Sequence, residues 1–183
     1  MKFPMAFLAA SFSGLALTLT TPVMAHLMVA GHGTLNIVDD SAFMVLSLPL
    51  SAFDGIDDNG DGDIDLAEFN RHQAAVIETL TQHVVLRDQD RELPLEDIVL
   101  SPEESHDHHG THLDHVSEVI VMGRFALDKV STPLSFHVDL FGHTEHSRAL
   151  KITASRKAEN LRHEFQLTPE QPTGLLFPSA DSE

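Results

Sequence analysis

Short alternations of apolar and polar residues fill most of this chain, and one stretch breaks the pattern. TLNIVDD and AFMVLSLPL predict two strands joined by a turn at Asp39, Asp40 and Ser41. In the second, Ala42, Met44, Leu46 and Leu48 alternate with Phe43, Val45 and Ser47. A strand apolar on both faces predicts a central, buried position, and Pro49 ends it. The period then lengthens. Leu66, Phe69, Val76, Ile77, Leu80 and Val84 form one stripe at helical spacing, predicting a helix over 66–82. Asp65 is the expected N-cap, with Glu68 three residues on. Strand signals then return in HVVLRD, LEDIVLS, SEVIVMGRFAL, LSFHVDLFG, RALKITASR and LRHEFQLT, separated by polar turns, Gly or Pro. The expected fold is mainly β with one long helix. It would be an antiparallel β-sandwich or partial barrel, with a loop and helix inserted.

The first 25 residues stand apart. Lys2, the apolar run FLAASFSGLALTLT and the small-residue ending PVMA have the layout of a secretory signal peptide cleaved after Ala25. The run is short and contains several Ser and Thr, which disfavours a bilayer span. Residues 26–178 are then expected to form a single domain, with 179–183 as a frayed tail. The sequence contains no cysteine, so neither disulfides nor thiolate metal sites can contribute.

Charge narrows the partners. Twenty-eight acidic residues oppose 11 basic ones, for a net charge of −17, and Lys2 leaves with the signal. Such a balance disfavours nucleic acid and anionic membrane surfaces and favours cations. All 13 histidines lie beyond residue 25.

The densest acidity is DDNGDGDIDLAE, residues 57–68, where six of twelve residues are carboxylates. Either a cation gathers them or they form a solvated acidic turn. The stretch fits D-x-[DN]-x-[DN]-G-x5-E at every constrained position. Asp57, Asn59 and Asp61 bring three side-chain oxygens to the inside of a tight turn, and Gly62 supplies the bend. Asp63 offers its carbonyl, Asp65 reaches through water, and Glu68 can give both oxygens. Ile64 can anchor the loop by a short β contact. An all-oxygen, flexible and negative set suits Ca²⁺ better than the smaller octahedral Mg²⁺.

Loop and following helix together resemble the EF-hand calcium-binding proteins, in the form of a single EF-hand within a small secreted bacterial domain. That resemblance implies calcium bound by Asp57, Asn59, Asp61, Asp63, Asp65 and Glu68. Two departures bear on affinity. The entering segment PLSAFDGI is about one helical turn, weakened by Gly55, and no second loop is available for pairing. Weak binding is therefore expected, on the order of 10⁻⁵ to 10⁻³ M.

A second candidate is SHDHHGTHLDH, residues 105–115, read as a His-rich loop between strands. His106, His108, His109, His112 and His115 could collect Zn²⁺, Ni²⁺ or Cu²⁺, and the competing reading is a solvated loop of titrating histidines. No P-loop, G-x-S-x-G, H-E-x-x-H or dinucleotide fingerprint occurs, and no enzyme activity is expected. The leading expectation is a secreted, periplasmic calcium-binding protein using Ca²⁺ for structure or weak sensing. The alternative is a periplasmic transition-metal carrier whose His-rich loop supplies a membrane metal transporter. Neither inserts in the membrane after signal cleavage.

Overall fold

In a computed structural model of the chain, residues 28–105, 115–128 and 133–178 are described. Residues 1–27, 106–114, 129–132 and 179–183 lie outside them, and with them the expected signal peptide, the expected frayed tail and most of the His-rich segment. The described residues are mainly β, in two open sheets beside one helix.

The first sheet has six strands: β1 His32–Val38, β2 Ser41–Pro49, β5 Leu95–Ser105, β6 His115–Ala126, β8 Leu150–Arg156 and β9 Leu161–Leu167. Their order is β5-β6-β2-β1-β8-β9. The second sheet contains β3 Val84–Asp88, β4 Arg91–Leu93, β7 Leu134–Val138 and β10 Thr173–Leu175, ordered β10-β7-β3-β4. Strand pairing is antiparallel with one departure from expectation. β1 runs parallel to β8, in register from His32 opposite Lys151 to Ile37 opposite Arg156.

A single core joins the sheets. Leu35, Met44, Leu46, Val121, Phe125 and Ile152 of the first sheet share it with Leu86, Phe136 and Val138 of the second. Phe125 and Phe136 meet edge to face, with centroids 6.3 Å apart and an interplanar angle of 78°. β2 is central, as its pattern predicts, but it is buried mainly on one side. The second sheet covers only the inner face of the first, so Phe43 stays 47% exposed on the outer face. The strands β4 and β10 were not visible in the sequence pattern. Three residues are too few for alternation to show.

The helix α1, Leu66–His83, buries Phe69, Val76 and Leu80. It packs against β3, β5 and β6. Leu66 departs from the predicted stripe and is 40% exposed, at the helix start and outside the core. Before the helix, Leu50–Ala52 form a 3-10 turn, and no entering α-helix exists. Leu50, Phe53 and Ile56 are nonetheless buried, which nails the entering segment to the core. Among the described residues no helix is long and apolar enough to cross a membrane.

Candidate metal centre

The acidic loop joins this nailed segment to α1. Its backbone is turned by its own side chains. Asp57 accepts from the N–H groups of Gly60 at 2.7 Å and Gly62 at 3.0 Å through separate oxygens. Asn59 accepts from Asp61 N–H at 2.7 Å, and Asp61 from Asp63 N–H at 2.9 Å. Such side-chain-to-backbone bonds replace the ladder the loop lacks and curl the chain around its odd-numbered residues. Gly62 has φ +88°, and no atom lies within 4 Å of where a Cβ would stand. Glycine is needed there for the dihedral, not for space.

Glu68 closes the ring. One of its oxygens accepts from Asp58 N–H at 3.1 Å and the other from Asp65 N–H at 3.0 Å. Asp65 in turn accepts from Glu68 N–H at 2.7 Å, completing a capping box at the start of α1. One carboxylate thus ties the second position of the loop to the ninth.

The eighth position holds the loop to the sheet. Ile64 C=O accepts from Val116 N–H at 2.7 Å, and Asp65 bridges antiparallel to His115. β6 supplies the β contact that a second loop would otherwise give.

Charge is distributed unevenly. Among the described residues, Asp58 alone of the six carboxylates meets basic groups, pairing with Arg71 and, at 2.8 Å, with His72. Asp58 occupies the one acidic position that is not a predicted ligand. Among the described residues no basic side chain pairs with Asp57, Asp61, Asp63, Asp65 or Glu68. Glu68 is only 2% exposed. Its two oxygens meet two backbone N–H groups and, among the described residues, no basic side chain, so a cation could sit against it.

As they stand, no three His, Asp or Glu side chains among the described residues form a group that could hold a metal ion. Asp57, Asp61, Asp65 and Glu68 are engaged with the loop's own N–H groups, and a cation would have to draw them inward. The donor set still fits a hard divalent cation, being all oxygen and contiguous, with a buried carboxylate that lacks a counter-charge among the described residues.

The His-rich segment connects β5 to β6. His106, His108, His109 and His112 lie outside the described residues. His115 opens β6, so that connection reaches the sheet directly beside the acidic loop. His115 and His143 also line an open cavity of about 420 Å³ with Phe53, Asp57 and Ile64. His143 bonds through Nε2 to the Ser51 carbonyl at 3.0 Å. The roles of Arg71, His72 and Val116 were missed in the sequence. Arg71 and His72 follow Glu68 within one helical turn, and charge matching could have flagged them. Val116 carried no signal, since its contact depends on tertiary structure.

No protein-family model matches this chain, and no curated protein matches it.

Proposed function

We propose that this chain belongs to the metal-binding β modules, with one acidic loop clamping a helix to a sheet. More particularly, it is an exported calcium-binding protein whose single EF-hand loop takes Ca²⁺ at Asp57, Asn59, Asp61, Asp63, Asp65 and Glu68. The observation that carries this is the charge distribution: basic side chains neutralise Asp58 and, among the described residues, leave every predicted ligand unpaired. An acidic turn that bound nothing would gain by pairing those charges too.

Calcium supplies the missing counter-charge. The loop's anchors are Leu50, Phe53 and Ile56 before it, Ile64 against β6, and the capping box after it. Closing the ring therefore couples β2, β6 and α1 into one unit. Export rests on the N-terminal pattern. A weak site suits compartments where calcium reaches millimolar levels.

The test is titration of Ca²⁺ into wild type and Glu68→Gln, with melting curves in calcium and in chelator. Gln keeps the size of Glu68 and loses one charged oxygen of the bidentate pair. Affinity should fall about tenfold or more, the loss of one charge-assisted contact. At 100 times the dissociation constant, calcium should stabilise wild type by about 2.7 kcal/mol. Equal affinities in the two proteins would overturn the assignment. A melt that responds to Zn²⁺ or Ni²⁺ and ignores Ca²⁺ would favour the transition-metal carrier instead.

A further inference from the structure

A sheet face turned to water normally carries polar residues at every second position. β2, β5 and β6 break that rule together. Val99 of β5 stands opposite Met122 of β6, and Met122 opposite Val45 of β2. Phe43, two residues before Val45 on the same face, stands between Arg124 of β6 and Asn36 of β1. Phe43 is 47% exposed, Met122 38% and Val99 54%. Three segments far apart in the chain thus set their apolar exceptions side by side, in one band on the outer face of the six-stranded sheet. Single exposed apolar residues are ordinary, whereas a contiguous band marks an interaction surface.

The flanks of this face carry opposite charge. On the β5 side Arg124 pairs with Glu96 at 2.9 Å and Asp97 at 2.6 Å, two acids to one base. On the β8–β9 side Glu164 pairs with Lys151 at 3.0 Å and Arg162 at 2.8 Å, two bases to one acid. Between the two clusters β2 and β1 present Phe43, Val45, Thr34 and Asn36, none of them charged. Two bodies of net charge −17 repel, and they meet at least cost through a face whose centre is neutral.

We propose that this face is an interface between two copies of the chain, joined as a weak dimer about a two-fold axis along β2. An isologous contact needs only one self-complementary patch. The axis sets Phe43 and Val45 against their own counterparts, Met122 over Thr34 and Val99 over Thr153 of the second copy. It also brings the acidic surplus at Glu96 and Asp97 toward the basic surplus at Lys151 and Arg162, once on each side. Six strands about 4.8 Å apart, open over about five residues of about 3.3 Å, give a face of about 500 Å². Two such faces bury about 1,000 Å², the lower limit for a specific interface, so the dimer is expected to be weak. The proposal is independent of the acidic loop and stands whether or not calcium binds there.

The test is sedimentation equilibrium of the purified chain, run in calcium and in chelator. A reversible monomer–dimer equilibrium should appear in both, with a dissociation constant of about 10–100 μM. Phe43→Glu places two carboxylates against each other at the axis and should weaken the dimer about tenfold or more, at unchanged melting temperature. Arg162→Glu removes the basic surplus and should weaken it several-fold. Leu175→Glu changes an exposed apolar residue of the other sheet and should leave the dimer as it is. If Phe43→Glu fails to fold, Val99→Glu carries the test. A chain that stays monomeric up to about 1 mM would overturn the proposal and leave the face to a different partner. A dimer unmoved by Phe43→Glu or Val99→Glu, or one broken by Leu175→Glu, would overturn it as well.

Discussion

Glu118 shows how strongly one residue's surroundings decide its behaviour. It is partly buried on β6, accepts from the Ser47 hydroxyl at 2.9 Å, and stands directly opposite Glu103 of β5. Like charges directly opposed across strands destabilise a sheet. Glu118 and His146 both line a small cavity of about 160 Å³. Burial raises the Glu118 pKa above its ordinary 4.5, and the Ser47 hydrogen bond opposes that rise only in part. The folded state therefore holds this proton more tightly than the unfolded one. Stability should be unaffected by Glu118 below its unfolded pKa and should fall as pH rises from there through the folded pKa. Glu118→Gln should consequently stabilise the protein at neutral pH, with the gain vanishing below about pH 4. Denaturant melts of both proteins across that range check it. A gain that persists at low pH would point to packing instead of charge.

At the scale of elements, the loop and helix were legible because everything they need is contiguous. Asp57 to Glu68 carry the ligand spacing, the bend and the cap in twelve residues, and the structure keeps the cap, the positive φ at Gly62 and the β contact of Ile64. The partner of Ile64 was not legible. Val116 lies more than fifty residues away, and alternation does not record which edge faces which loop. The same limit hid the parallel pairing of β1 with β8. The capping box gives this element its own prediction. In chelator, Asp65→Ala should cost about 1 kcal/mol, read as a lower denaturant midpoint at unchanged slope, because one first-turn N–H loses its acceptor. In calcium the difference should widen, since Asp65 is also a proposed ligand. A difference equal in both conditions would remove Asp65 from the ligand set and leave it a cap.

For the whole molecule the governing quantity is the charge of −17. Its field adds to the local pull of the loop on any cation. Between about 0.01 M and about 1 M salt the screening length shrinks from about 30 Å to about 3 Å. Calcium affinity should drop several-fold over that span, as competitive titration would show. A flat response would mean that the nearest oxygens alone set the affinity.

The pairing of β1 with β8 has a consequence for how the chain reaches its native state. β1 can zip to β2 early, but its other edge waits for residues 151–156, more than a hundred positions downstream. Until they arrive, a row of unmet N–H and C=O groups on β1 is open to strangers. Non-local closure of this kind is slow. A chain made from its N-terminus exposes that edge until β8 is complete, so its safe assembly depends on the last third following promptly.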